Sequence, residues 1–451
     1  MFEIIFAYLS AIESFFWSYV AFVLIAILGL YLTLQTRFFQ IRAFPSILKT
    51  FYHCVNAKME QDRGLHPLKA FFASVGGMIG IGNVVGIAMA VQLGGPGALF
   101  WVWMAALVGS IIKYSEVFLG LKHRVPNDQG GFDGGPMYFL RRAFQNRWLP
   151  GFAAILLCIY GIEIYQFSVV TESLSTNYDL NRYLVIGGLL FVVLYASMGG
   201  IARLGTVCSW LMPVLITIYL SMCLWIIFQE LAVLPALLNM VFVSAFNGHA
   251  AIGGFAGSTM ILAVQYGISK AAYSADIGVG YDSIIQSESS TIYPERQARL
   301  AVLGVCIDNL ICTISILVVL ITGVWQESIE GSHLVQTALS HYFPYMHLFM
   351  PILLFILGYT TMIAYFCIGI KCARFLSPRY GFSIYVIYGA AALLLFSFFD
   401  QTKAAIVMSI AQAFLLITNL LAIFKLRHEL SFAEIPYEAT SIASVTATEA
   451  R

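Results

Sequence analysis

Residues 74–83 read S-V-G-G-M-I-G-I-G-N in the middle of an apolar stretch. A glycine inside a helix costs about 1 kcal/mol relative to alanine. Gly76, Gly77, Gly80 and Gly82 together therefore predict a helix break. At membrane depth an irregular backbone is tolerated only where it lines a cavity or is buried in protein. The two half-helix ends then carry bare N–H groups that suit an anion and bare carbonyls that suit a cation. Gly80, Ile81 and Gly82 would offer their N–H groups to a carboxylate. Asn83 adds a side-chain oxygen. The carbonyls of Gly76 and Ile79 could serve a hard cation, which takes oxygen ligands.

Further along, Tyr359-Thr360-Thr361 places two adjacent hydroxyls in an apolar run. Taken alone, they are better explained by threonines bonding back to their own helix carbonyls. Ionisable groups inside apolar spans are expensive and therefore candidates for function. Glu163 and Gln166 are three apart and share a helix face. Glu163 has no basic neighbour in its span, so it could face a substrate ammonium, carry a proton, or stand as a neutralised structural residue. Lys113 and Glu116, also three apart, read as a structural ion pair. Asp308 and Asn309 read as part of a helix–helix hydrogen-bond network. Asp276 and Asp282 lie in S-A-D-I-G-V-G-Y-D, which reads as a gate or as a solvated loop. The sequence holds no H-E-x-x-H, no G-x-S-x-G after a strand, no Walker A loop and no Cys/His cluster. It thus encodes no ATP drive and suggests no ATPase partner and no covalent cofactor, and uphill movement would have to draw on an ion gradient.

The elements that must position these groups are membrane helices. Of 451 residues, 60% are hydrophobic and 10% charged, and the mean hydropathy is +0.84. That composition excludes a soluble domain of this size and gives an all-α polytopic membrane protein in contact with a lipid bilayer. A net charge of +1 gives no basis for nucleic-acid binding. The 8 cysteines fall mostly within apolar runs and read as small buried hydrophobes. The first basic residue, Arg37, follows the first apolar run, which argues against a cleaved signal peptide.

Runs near the ~20 residues needed to cross a bilayer fall at 15–36, 67–93, 97–121, 151–175, 183–199, 208–229, 250–269, 300–324, 347–370, 382–399 and 404–424, about eleven helices. Arg37, Arg42, Lys49, Lys58, Arg63, Lys122, Arg124, Arg141, Arg142, Arg147, Arg203, Lys270, Arg296, Arg299, Lys371, Arg374, Arg379, Lys425 and Arg427 all fall on one side if each span crosses once. Only Arg182 and Lys403 fall on the other. The positive-inside rule then puts the N-terminus outside and the C-terminus in the cytoplasm. The expected organisation is an N-terminal transmembrane helix (1–36), a cytoplasmic loop (37–66), a first five-helix repeat (67–229), a second (230–425) and a disordered cytoplasmic tail (426–451). Because five is odd, the two groups cross in opposite senses, as in an inverted repeat with its site at the midplane. The second repeat opens on A-I-G-G-F-A-G-S-T. Gly253, Gly254 and Gly257 there match the first break, which gives two discontinuous helices. Close helix packing is the competing explanation for these glycines.

These residues resemble the alanine/glycine:cation symporters, sodium-coupled amino-acid carriers. Gly80-Ile81-Gly82-Asn83 with Gly86 is similar to the family's G-T-G-N-I-A-G. Gly94-Gly95-Pro96-Gly97-Ala98 leads to Lys113-Tyr114-Ser115-Glu116, similar to K-Y-A-E. Gly134 to Tyr138 resembles G-G-P-M-Y, Gly304-Val305 with Asp308 resembles G-V-x-x-D-T, and Tyr359-Thr360-Thr361 resembles F-T-T. The likeness runs from about Phe71 to the last span. It implies the five-plus-five inverted-repeat fold of the bacterial leucine transporter, and the cytoplasmic (inner) membrane of a bacterium. It also implies roles. The carboxylate of a small amino acid would sit on the N–H groups of Ile81 and Gly82. Sodium would be held by the carbonyls of Gly76 and Ile79 and the hydroxyls of Thr360 and Thr361. Gln166, Phe255 and Tyr365 would line the pocket. Three departures stand out: Ile81 replaces the usual threonine, Glu163 stands where a neutral polar residue is usual, and Ala275–Ser283 differs from N-E-A-G-M-G-S-A-P. The expected function is sodium-coupled symport of alanine or glycine by alternating access. The alternatives are a proton-coupled permease using Glu163 and, less favoured, a channel or membrane-embedded enzyme.

Overall fold

The computed structural model describes residues 2–56, 59–247, 260–327, 329, 331, 333–398 and 401–434. Each expected span is met by helix over most of its described residues, with interruptions at 79–80 and 161–163. Among the described residues, seven helices are long and apolar enough to cross a bilayer, eight if the bent pair Pro67–Met78 and Ile81–Gly94 counts as one span. Four shorter apolar helices accompany them, among them Leu234–Asn247, which no expected span covered. The chain is therefore an all-helical, multi-pass membrane protein. Leu184, Phe191, Trp210 and Ile387 point outward and are largely exposed, which suits a surface solvated by lipid rather than water.

Helix starts follow local chemistry. Pro67, Pro136 and Pro294 each sit in the first turn of a helix, where the missing N–H costs nothing and φ is already helical. His66 caps the first of these by accepting from the N–H of Leu68. The Ala98–Lys122 helix runs through the centre, packed against Pro294–Thr322, Met260–Ser274 and Tyr281–Gln286. The first span begins at Phe2, earlier than the apolar run suggested, and carries a π-helical turn at Phe16–Val20.

Three long connections interlock: residues 37–66, 122–150 and 270–299. Residues 37–66 hold the helices Phe39–Arg42 and Phe44–Asn56. Glu60 pairs with Arg296, the N–H of Gly64 donates to the carbonyl of Gly130 at 2.9 Å, and Leu65 bridges Ser289. Arg124 donates to the carbonyls of Ser287, Ser289 and Thr291. Lys371 pairs with Asp133 and Glu288 at 2.8 and 2.6 Å. The stretch Ala275–Thr291 is buried throughout, so the solvated-loop reading of Asp276 and Asp282 is corrected. Its backbone turns through left-handed conformations at Asp276, Gly278 and Gly280. This lets it double back into the protein.

Two further expectations are revised. The segment 426–434 is packed, not disordered. Phe432 stacks on Tyr114 at 4.8 Å, Tyr114 donates to the carbonyl of Ser431, and Glu429 pairs with Lys122. Aromatic burial holds this stretch, although its polar neighbours suggested a tail. Lys270 does not follow span seven; it lies inside the Met260–Ser274 helix. Arg182 donates to the carbonyl of Ser397, and Lys403 lies over the Phe6 ring.

Candidate functional site

The glycine run breaks the second span where expected. The helix Pro67–Met78 stops, Ile79 and Gly80 are extended, a 3-10 turn follows at Ile81–Asn83, and Val85–Gly94 continues at a bend of 61°. Gly80 must be small. A Cβ there would lie 2.7 Å from Thr361 Oγ1 and 2.9 Å from Gln166 Oε1. The two half-helix ends and side chains of two other spans thus converge on one point.

Two of the three N–H groups expected to be bare are held by side-chain oxygens. That of Gly80 donates to Asn83 Oδ1 at 3.0 Å, and that of Ile81 donates to Gln166 Oε1 at 3.3 Å. Buried N–H groups need partners, and these two oxygens supply them. Asn83 closes the break with its oxygen and donates through Nδ2 to Asp308. Ser274 Oγ also donates to Asp308, at 2.9 Å. Asp308 therefore joins three spans, as the network reading expected. Ser274, Tyr273, Gly77 and Met78 also line the central cavity. For Ser274, Tyr273 and Met78 only the contacts reveal this, whereas Gly77 belongs to the glycine run that marked the break.

On the cation side, Thr361 Oγ1 lies 3.3 Å from the carbonyl of Gly76. Thr360 faces elsewhere. Its hydroxyl bonds back to the carbonyls of Ile356 and Leu357 at 3.1 Å and meets the Met212 sulfur. Successive helical residues are rotated by about 100°, so adjacent hydroxyls cannot both face the break squarely. Ile79 forms the extended linker at the break and is buried. The donor set offered by Gly76 and Thr361 is neutral oxygen, which fits a hard monovalent cation. Among the described residues, no group of three or more His, Cys, Asp or Glu converges to hold a transition metal.

Glu163 is not inside a helix. It occupies a second interruption, between Trp148–Tyr160 and Ile164–Tyr178, with φ of +52°. It is buried, lines the central cavity, and its Oε2 has no hydrogen-bond partner among the described residues. The one-face relation with Gln166 becomes a meeting at a helix start. Tyr365 also lines this cavity and stacks on Tyr281, with ring centroids 4.0 Å apart. The cavity measures about 10 Å³, room for a single water, so the site is closed around its polar groups. Phe255 and the glycines Gly253, Gly254 and Gly257 lie outside the described residues, so the second helix break goes with them.

Lys113 does not pair with Glu116. Its Nζ donates to the carbonyl of Asp276 at 2.6 Å and sits 3.8 Å from a carboxylate oxygen of both Asp276 and Asp282. Asp282 accepts from Ser74, which Gln286 also contacts. Gln297 connects to Gln286 and to the carbonyl of Pro67. A buried polar layer therefore ties the first half of the broken span to the folded-back Ala275–Thr291 segment. The 8 cysteines are free thiols, six of them buried.

A site built on a broken membrane helix, with half-helix ends facing neutral oxygens and no nucleotide loop, defines a secondary transporter. The chain belongs to the sodium:alanine symporter family, whose model matches residues 2–447. It is 30% identical to the uncharacterized transporter YflA of Bacillus subtilis, over 94% of this chain and 92% of that one. It is 28% identical to the sodium/alanine symporter AgcS of Methanococcus maripaludis, over 88% of each. It is likewise 28% identical to the probable sodium/glutamine symporter GlnT of Bacillus subtilis, over 91% and 86%. Among solved structures, a manganese transporter of Eremococcus coleocola aligns over 80% of this chain and 76% of its own, with a TM-score of 0.49 and 13% identity. The chain is a transporter of the amino-acid symporter type and not an enzyme.

Proposed function

We propose that the protein couples sodium entry to uptake of a small neutral amino acid, alanine or glycine, by alternating access. The observation that carries this reading is the juxtaposition of the Thr361 hydroxyl with the Gly76 carbonyl at a helix break whose opposite end presents N–H groups. Sodium would take the carbonyls of Gly76 and Ile79 and the hydroxyl of Thr361, with Thr360 on the adjoining face. The substrate carboxylate would displace Gln166 from the N–H of Ile81 and reach Gly82, while Gln166 and Tyr365 line the pocket with Phe255. Cation and carboxylate would then lie at opposite ends of one break, so each favours the other electrostatically. The two five-helix groups, 67–229 and 230–425, would rock about this site. Basic residues gathered in the interlocked connections support a cytoplasmic location for these in a bacterial inner membrane, with the N-terminus outside. Asp276, in the buried layer under the site, would belong to the inner gate.

Labelled alanine and glycine uptake into proteoliposomes tests this. An inward sodium gradient is expected to raise the initial rate at least about ten-fold, the span a modest coupling energy covers. Equal uptake with and without sodium would sink the coupling.

A second reading, proton coupling, rests on the unpartnered Oε2 of Glu163 beside the cavity. Under it, Glu163→Gln abolishes uptake driven by an inward proton gradient. Under sodium coupling the same substitution leaves sodium-driven uptake within about three-fold of wild type, because the amide keeps the shape and changes an oxygen that has no partner among the described residues. The two gradients applied separately distinguish the readings.

A further inference from the structure

Beside the central site lies a larger cavity, of about 470 Å³. That volume is within the range of small-molecule sites, about 300–1,000 Å³. It shares Gly82 and Tyr273 with the central cavity. Its other walls come from the N-terminal helix, from Val85–Gly94, from Tyr160 and Tyr165, from Met260–Ser274 and from Gln401–Lys425.

The walls carry two opposite charges. Lys270 projects from the Met260–Ser274 helix and has no hydrogen-bond or ion-pair partner among the described residues. Glu13 of the N-terminal helix lines the same cavity. Glu13 accepts one hydrogen bond, from Ser409 at 2.6 Å. An ammonium held inside a membrane protein is costly unless it meets an anion. Two more lining side chains carry buried donors with no partner among the described residues, Trp17 Nε1 and Gln412 Nε2. Trp17 stands on the π-helical turn Phe16–Val20, a local widening that is common at functional sites. Unmet donors beside a cation, facing one carboxylate, match a ligand that bears both a carboxylate and an ammonium.

We propose that this cavity is a second binding site for a zwitterionic amino acid, with the carboxylate held by Lys270, assisted by Trp17 and Gln412, and the ammonium held by Glu13. Its occupant would lie next to the central site, separated from it by Tyr273 and the backbone at Gly82.

Equilibrium dialysis of the full chain in nanodiscs, with labelled L-alanine, glycine and L-glutamine as separate probes, tests it. Wild type is expected to bind two equivalents of at least one probe. Lys270→Met and Glu13→Gln should each weaken one of the two at least ten-fold and leave the other intact, and Gln166→Ala should weaken only the other. Glu13→Gln guards against misfolding of the lysine variant, with melting curves recorded for both. One equivalent in wild type, undiminished in both variants, overturns the second site and leaves the central reading standing. Loss of the equivalent that Gln166→Ala also removes overturns it as well. Binding of none of the three probes overturns this site and the central reading together.

Discussion

Thr361→Val is expected to raise the sodium concentration for half-maximal uptake by roughly ten- to a hundred-fold. A ligand oxygen to a charge is worth about 1.5–3 kcal/mol, and each 1.4 kcal/mol is about ten-fold in affinity. Valine keeps the branched shape, and the hydroxyl's second bond, to the carbonyl of Leu357 in its own helix, is locally replaceable. The melting temperature should therefore move little. Thr360→Val provides the contrast. Its hydroxyl bonds to its own helix and lies against the Met212 sulfur, so its effect on sodium dependence should stay within a few-fold. Uptake measured against sodium concentration for both variants decides the matter. Equal effects of the two substitutions would remove Thr361 from the cation site.

Lys113→Met should destabilise the protein by about 3–5 kcal/mol, the cost of leaving buried charges without their partner. Asp276 and Asp282 are both within 3.8 Å of the ammonium, and neither can reach water from the buried layer. The variant is expected to melt well below wild type and to lose its monodisperse elution. The double variant Lys113→Met with Asp282→Asn should recover part of that loss, because one of the stranded charges is gone. An unchanged melt for the single variant would contradict the ion-pair layer. Glu116→Gln should be mild by comparison, since Glu116 stands outside these ion pairs.

The membrane class and the first helix break were legible because each rests on local chemistry. Hydropathy over about twenty residues reports the solvent a helix will meet, and clustered glycines report a backbone that does not stay helical. The order of motifs from Gly80 to Thr361 likewise pointed to the family. Side-chain pairing was less legible. Spacing put Lys113 and Glu116 on one face, yet the ammonium reaches Asp276 and Asp282 from a segment more than 160 residues away. A buried charge takes the partner that packing brings to it, and helical spacing does not report that partner.

By itself, the sequence determined that this chain is a multi-pass membrane protein with a broken helix, since both follow from short-range composition, while its kinship with the symporters rested on the order of its motifs. Tertiary structure alone decided which groups meet at the break: Gln166 on the N–H of Ile81, Asn83 on Asp308, Thr361 rather than Thr360 on Gly76. It also turned Ala275–Thr291 from an apparent loop into a buried layer, and placed Lys270 beside a cavity instead of at a membrane edge. The reason is the same in each case. Burial, and the partner each polar group finds when buried, depend on chain segments distant in sequence.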